Sequence, residues 1–167
     1  MKRLRIVLVA PRIAGNVGNV ARTCLAAGAE LHLVRPFGFI DDPKKLKRAS
    51  VGYWDEIQSF TYRDADDFWE RFPHDENTVF YWATKRGSEI YYKQNYVSDS
   101  VLIFGNEEEG VHESFWKNKA LAKIQACRIP TSSVRCLNLG VSVAIFSFEV
   151  LRQWGKSFPF EQDAAVS

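Results

Sequence analysis

Short apolar runs alternate along the chain with segments of helical period. Residues 4–10 form a β-branched apolar run that ends at Pro11, and residues 30–34 form a second run. Between them, residues 16–27 have the pattern of a helix, with Asn16 as its expected N-cap and Gly28 directly after its end. A strand, a helix and a strand within about thirty residues are typical of a βαβ unit, so the pattern predicts a parallel sheet.

The same alternation continues through the rest of the chain. Further strands are expected at residues 57–62, 79–83, 101–104 and 122–127, and a helical turn or two at residues 113–118. Helices are expected at residues 43–49, 65–72 and 138–156, with Asp42, Asp64 and Asn138 as their N-caps. The predicted fold class is therefore α/β, with a mostly parallel sheet flanked by helices.

The length of 167 residues suits one substantial core, so we expect one domain over residues 1–157 and a loose C-terminal tail over residues 158–167. The uncharged stretch at residues 137–148 is shorter than the roughly 20 residues that cross a bilayer, which argues against a membrane protein. The first apolar run meets Arg12 rather than a small-residue cleavage site, so we expect a cytoplasmic protein.

The net charge of +2 conceals an asymmetry along the chain. Residues 1–50 hold ten Lys and Arg against three Asp and Glu, whereas residues 51–76 hold two against eight. The basic segment is the expected face for a phosphate-bearing partner. The cysteines, Cys24, Cys127 and Cys136, form no C-x-x-C pair and have no histidine at ligand spacing, so we expect neither a disulfide scaffold nor a metal site.

Three polar loops follow expected strands, where ligands gather at the carboxyl edge of a parallel sheet. The first, residues 15–22, has glycines spaced G-x-x-G, and the next strand ends in Val34 and Arg35 without an acidic residue, which disfavours a dinucleotide site. Its helix N-terminus, two Asn side chains and Arg22 suit a phosphate or a sugar hydroxyl. An ordinary capped helix with a surface Arg fits the same residues.

The other two loops also offer main-chain groups to a ligand. In residues 104–110, Gly105 and Gly110 allow the backbone to approach a flat ligand closely, and Glu108 and Glu109 are expected to be solvated. The loop at residues 129–138 is rich in small and hydroxylic residues. It is either a main-chain binding loop or an irregular connection.

In this order, the loops resemble the three motifs of the SPOUT (SpoU and TrmD) RNA methyltransferases. The matching segments are NVGNVARTCLAAG (residues 16–28), LHLVRPFGFIDDPKKLKRASVGYWDE (31–56), ATK (83–85), IFGNEEEG (103–110) and IPTSSVRCLNLGVSVAIFSFEVLRQWG (129–155). The second and third segments indicate the TrmL-like branch, which methylates the ribose of the wobble nucleotide of certain tRNAs.

The resemblance implies an α/β fold with a deep C-terminal trefoil knot, although knots are otherwise nearly absent from proteins. It implies that S-adenosylmethionine binds between the knot loops without a metal, and that the protein is a homodimer through the knot and the first and last helices. The implied activity is 2′-O-methylation of cytidine or uridine 34 in the tRNA anticodon loop. Carried over by position, the cofactor-binding residues are Trp82, Gly105, Ile129, Cys136, Leu137 and Asn138, and Arg22 matches the catalytic arginine.

For the reaction, we expect Arg22 to hold the 3′-phosphate and stabilise the developing alkoxide, because a guanidinium keeps its proton and is a poor base. Asn19 and Asn138 either position the ribose and the third loop or only cap helices. A basic set is expected to contact tRNA phosphates: Arg12, Lys44, Lys45, Lys47, Arg48, Lys85 and Arg86. The basic stretch at residues 44–48 also fits an ordinary solvated helix face.

Three positions depart from the family pattern. Cys136 stands where Ser is usual, Phe148 where Tyr is frequent, and Glu109 where relatives are sometimes basic. We expect the small Cys136 side chain to leave main-chain cofactor contacts intact. Three other functions remain open: a base-directed methyltransferase with Cys136 as nucleophile, a non-catalytic RNA-binding knot protein, and ribose methylation at another tRNA or rRNA site.

Overall fold

A parallel sheet, with seven strands among the residues that the structure describes, forms the centre of the molecule. The structure is a computed structural model that describes residues 2–50, 52–119 and 122–155. The strands are β1 (Arg3–Val9), β2 (Glu30–Val34), β3 (Ser59–Tyr62), β4 (Val79–Ala83), β5 (Glu89–Ile90), β6 (Asp99–Phe104) and β7 (Lys123–Arg128). Their spatial order is β3-β2-β1-β6-β4-β7-β5, and every pairing is parallel.

In the described part of the chain, four α-helices cover the two faces of the sheet. They are α1 (Ala14–Ala27), α2 (Pro43–Ala49), α3 (Ala65–Arg71) and α4 (Leu139–Trp154), and short 3-10 helices span Tyr53–Glu56, Tyr91–Lys93 and Glu113–Trp116. A hydrophobic core lies on each face of the sheet. Alternate residues of β1 belong to different cores, because successive side chains of a strand point to opposite faces. Ile6 and Leu8 pack with α1 and α4, while Val7 and Val9 pack with the aromatic residues of α3.

Local sequence signals account for most helix ends. The Asp42 side chain accepts a hydrogen bond from Lys44 N at the start of α2, and Asp64 accepts one from Asp67 N at the start of α3. Gly28 follows α1 in the left-handed conformation, as expected. The prediction of Asn16 as N-cap was wrong: α1 begins two residues earlier, and Asn16 is buried inside its first turns.

Other boundaries differ by a few residues. The third strand begins at Ser59 instead of residue 57, because Ile57 caps the end of the 3-10 helix Tyr53–Glu56. The first strand ends at Val9, since Ala10 has a φ of +52° and cannot continue it. The two-residue strand β5 was not predicted. Lys156, the expected end of the closing helix, and the tail at residues 158–167 lie outside the described residues. Within the part of the chain described, no helix has the length and apolar character to span a membrane.

Candidate active site

The loops that follow β1, β4, β6 and β7 enclose a cleft at the carboxyl edge of the sheet. Its volume is about 1290 Å³. In a parallel sheet these strand ends meet at one edge, so residues from distant parts of the sequence come together there. A cleft of this size can hold a ligand as large as a nucleoside derivative.

All six residues that were predicted to bind the cofactor line this cleft. They are Trp82, Gly105, Ile129, Cys136, Leu137 and Asn138. Trp82 lies near the end of β4, Gly105 directly follows β6, and Ile129 directly follows β7. Lys85 and Arg86, from the loop after β4, lie at the same cleft.

Glu107 connects three of the loops around the cleft. Its Oε2 accepts a hydrogen bond from the backbone N of Arg12 at 2.8 Å, and its Oε1 accepts one from Asn16 Nδ2 at 2.7 Å. Asn16 Oδ1 in turn accepts from Asn138 Nδ2 at 3.0 Å. Asn138 Oδ1 caps α4 by accepting from Gly140 N at 2.9 Å. We call this set, Arg12 N, Glu107, Asn16 and Asn138, the loop network.

The turn at residues 105–110 needs both of its glycines. Asn106 N donates to Gly110 O and Gly110 N donates back to Asn106 O, each at 3.1 Å. A Cβ on Gly105 would lie 1.9 Å from the carbonyl carbon of Gly110, so no larger residue fits. Gly110 has a φ of +80°, a conformation that favours glycine. The turn therefore presents Glu107 to the loop network in one fixed orientation.

Two buried indole N–H groups belong to residues that line the cleft. The indole N–H groups of Trp82 and Trp116 donate to no acceptor within the described part of the chain, and their rings lie 5.2 Å apart between centroids. Cys127 also lines the cleft, but burial raises the pKa of its thiol to about 12, so it stays protonated. In residues 2–50, 52–119 and 122–155, the Cys136 thiol contacts no base by hydrogen bonding, and a nucleophilic Cys136 gains no support.

Arg22 lies apart from the residues that line the cleft. It is exposed on α1, and its guanidinium carbon lies 5.8 Å from the centre of the Tyr53 ring. Asn19, one turn earlier, lies against the start of α4: a Cβ on Gly140 would be 3.3 Å from the Asn19 Cβ. The row from Asn16 through Asn19 to Arg22 thus leads along α1 away from the cleft.

The predicted phosphate-binding residues fall into two groups. Lys85 and Arg86 line the cleft, and among the described residues neither forms an ion pair. Lys44 and Arg48 are exposed on α2, whereas Lys47 pairs with Asp55. The Arg12 guanidinium lies 3.8 and 3.7 Å from the exposed carboxylates of Glu108 and Glu109, distances at which surface pairs contribute little. The side chain of Lys45 lies outside the described part of the chain.

The sequence prediction missed the roles of Glu107 and Asn16. Glu108 and Glu109 are exposed, as expected, but their neighbour Glu107 is fixed by two hydrogen bonds. A signal was present, since Glu107 directly precedes those residues in a turn that two glycines define. The sequence does not show which of the three adjacent glutamates is held. The structure does, because Asn16 lies within hydrogen-bonding distance of Glu107.

Comparison with known proteins gives consistent matches. The model of the SpoU rRNA methylase family matches residues 3–148. A protein of Listeria monocytogenes serotype 4b, named tRNA (cytidine(34)-2′-O)-methyltransferase, is 38% identical over 152 residues, which cover 89% of this chain and 86% of the relative.

Solved structures extend the similarity to the fold. A structure described as giving insights into the 2-OH methylation of C/U34 on tRNA has a TM-score of 0.81 and 35% identity, covering 92% of this chain and 97% of that one. An AdoMet-bound rRNA methyltransferase from Sinorhizobium meliloti has a TM-score of 0.75 and 28% identity, covering 91% of this chain and 57% of the other.

Proposed function

Because the chain belongs to the SpoU rRNA methylase family, we propose that it is an RNA 2′-O-methyltransferase that modifies the ribose of cytidine or uridine 34 in tRNA. Relatives that match along most of their length carry that name or concern that reaction. The observation that carries the proposal is the cleft, where residues from three separate sequence motifs meet around the loop network.

S-adenosylmethionine is the cofactor in this proposal, and when bound it supplies an electrophilic methyl group. The residues that would hold it are the six cleft residues named above. The fit is supported by the tight turn at residues 105–110 and by the loop at residues 129–138, which is rich in small and hydroxylic residues. The absence of an acidic residue at the end of β2 agrees with a site that differs from a dinucleotide fold.

The protein's own residues have to align the ribose and help its 2′-hydroxyl lose a proton. We assign Arg22 to the 3′-phosphate and to the developing alkoxide, with the proton leaving to a phosphate oxygen or to water. Asn138 positions the third loop through the loop network. Asn19 lies one helical turn from Arg22 and is assigned to the ribose.

A homodimer through α1 and α4 forms part of the proposal. Arg22 does not line the cleft of its own chain, so a second copy would bring the two together. The outer face of α4 carries an apolar stripe that a partner could cover: Val141, Ala144, Ile145 and Phe148. The expected trefoil knot belongs to the proposal as well, and it is supported by the family to which the chain belongs.

We also assign contacts with the RNA to exposed cations of this chain. The exposed cations Lys44, Arg48, Lys85 and Arg86 offer phosphate contacts to an anticodon loop. A tRNA substrate agrees with a cytoplasmic location.

The test is to incubate the protein with tRNA and S-adenosylmethionine and to map 2′-O-methyl groups by nucleotide. We expect one new methyl group at nucleotide 34, and its much slower formation with Arg22→Ala. Arg22→Lys should also be impaired, because an ammonium cannot form the forked contact of a guanidinium. Near-full activity of Arg22→Lys with an unchanged pH profile would contradict the role given to Arg22.

Each alternative gives a different result in the same assay. Methylation at another nucleotide indicates a different ribose target, and a methyl group on a base indicates a base-directed enzyme. RNA binding without S-adenosylmethionine binding indicates a non-catalytic protein. Each of these results contradicts the proposal.

A further inference from the structure

The ring of Tyr53 lies beside the guanidinium of Arg22. The guanidinium carbon is 5.8 Å from the ring centre, within the range at which an aromatic face attracts a cation. Among residues 2–50, 52–119 and 122–155, no carboxylate pairs with Arg22. Within the described residues, the ring of Tyr53 is therefore the partner found for this guanidinium.

Tyr53 is itself held in place from two sides. It begins the 3-10 helix Tyr53–Glu56, whose Asp55 pairs with Lys47 of α2, and its backbone N donates to Ser50 O at 3.3 Å. The helix α2 lies directly on α1, since a Cβ on Gly18 would be 2.3 Å from the backbone of Ala49. These contacts hold the backbone of Tyr53 beside the helix that carries Arg22, and the residue itself is 40% exposed.

An aromatic neighbour has a different effect on a guanidinium than a carboxylate. A carboxylate would accept the N–H groups in a fork and use the donors that a phosphate needs. An aromatic ring attracts the cation while leaving its N–H groups available. Tyr53 can therefore limit the conformations of a long, flexible side chain without blocking its donors.

We propose that Tyr53 is a positioning residue that holds the Arg22 guanidinium ready for the reacting ribose. The inference rests on the proposed function, because it assumes the role of Arg22 given there. The ring acts through Arg22 and does not touch the cofactor. Its loss should therefore slow methyl transfer while leaving cofactor binding unchanged. The hydroxyl of Tyr53 has no part in the contact, so phenylalanine should replace tyrosine.

The experiment measures kcat and KM for tRNA methylation, together with S-adenosylmethionine affinity, for Tyr53→Leu and Tyr53→Phe. Tyr92→Leu is the matched control, because Tyr92 is similarly exposed and also lies in a short 3-10 helix. We expect Tyr53→Leu to lower kcat about tenfold with KM nearly unchanged, as for an interaction made in the transition state. Tyr53→Phe and Tyr92→Leu should retain wild-type kcat, and thermal unfolding should show all variants folded.

A double variant separates positioning from an independent effect. If Tyr53 acts through Arg22, Arg22→Ala with Tyr53→Leu should be no slower than Arg22→Ala alone. Additive losses would overturn the inference. So would a wild-type kcat in Tyr53→Leu, or a raised KM with kcat intact, which would make Tyr53 an RNA contact. A wild-type protein that methylates no tRNA would instead overturn the proposed function, and the inference with it.

Discussion

At the scale of single residues, Glu107 links the loops around the cleft through its two carboxylate oxygens. One carboxylate oxygen accepts from the Arg12 backbone and the other from Asn16. In Glu107→Gln, an amide NH₂ would face one of these two donors, so a hydrogen bond would be replaced by a repulsive contact. We expect cofactor affinity to fall about tenfold, measured by titration calorimetry with S-adenosylhomocysteine.

The matched control for this variant is Glu108→Gln. Glu108 is the next residue of the same turn, and its carboxylate is 69% exposed and only loosely paired. Its replacement removes the same charge and should leave the affinity within twofold or so. Equal losses in both variants would show that charge, and not the loop network, matters at this turn.

His32 is a buried titratable residue far from the cleft. Its Nε2 donates to Glu30 Oε2 at 3.3 Å, so its Nδ1 accepts from the Tyr62 hydroxyl at 2.9 Å. Burial lowers the pKa of His32 to about 4 from its ordinary 6.5, despite the nearby Glu30 carboxylate. The unfolded chain therefore binds the proton more tightly than the folded protein does.

This difference predicts a loss of stability in mild acid. The contribution of His32 is fully present above its ordinary pKa of 6.5 and is lost as the pH falls towards the folded value of about 4. From about pH 7 to about pH 5, we expect His32 to account for a loss of about 2 kcal/mol in the free energy of unfolding. Urea unfolding at both pH values should show a smaller loss in His32→Gln; equal losses would contradict the assignment.

At the scale of elements, the contact between α1 and α2 depends on Gly18. A Cβ at this position would lie 2.3 Å from the backbone of Ala49, whereas a Cβ on Gly15 in the same helix would meet nothing within 4 Å. Gly18→Ala should lower the free energy of unfolding by about 1–2 kcal/mol, because overpacking outweighs the gain in helix propensity. Gly15→Ala should raise it by up to about 1 kcal/mol. Chemical denaturation measures both, and equal effects would contradict the packing argument.

Elements with strong local signals were predicted well. The apolar runs gave β2 and β4 with their exact bounds, and the caps Asp42, Asp64 and Asn138 were each confirmed by a hydrogen bond. These features are determined by residues that are close in sequence, so a local pattern is enough to predict them. Asn16 shows where prediction from local sequence fails. Asparagine is a frequent N-cap residue, but the Asn16 side chain instead donates a hydrogen bond to Glu107, which is 91 residues away in sequence.

The same contrast applies to the candidate site. The strand ends indicated which loops would meet, because all strands of a parallel sheet end at one edge. The position of Arg22 beside Tyr53 and the pairing of Lys47 with Asp55 depend on how α2 packs on α1. The periodicity of the sequence does not predict how these two helices pack.

At the scale of the whole molecule, the proposed dimer can be tested on α4. Phe148 is 48% exposed on the outer face of this helix. Phe148→Asp would place a charge in the proposed interface, so we expect monomers in light scattering and slower methylation. Phe60→Asp alters a similarly exposed ring on the edge strand β3 and should leave the dimer intact. A Phe148→Asp protein that stays dimeric would exclude this face.

The salt dependence of tRNA binding tests the charged surface. Lys85 and Arg86 line the cleft, while Lys117 and Lys119 lie on the turn that Asn118 attaches to Asp66 of α3. Replacing Lys85 and Arg86 by Gln should reduce the slope of log affinity against log salt by about 1.5, because fewer counterions are released. The same change at Lys117 and Lys119 should have little effect. An equal effect of both pairs would mean that binding follows net charge alone.

The position of β1 in the sheet has a consequence for the order in which the chain can fold. β1 pairs with β2 on one side and with β6 on the other, and β6 begins at Asp99. A chain that emerges from the ribosome can therefore assemble β1, β2 and β3 early, while the backbone N–H and C=O groups along the other edge of β1 remain unpaired. That edge is closed only after residue 104 has been made. We expect slow, late folding and a need for protection from aggregation during synthesis.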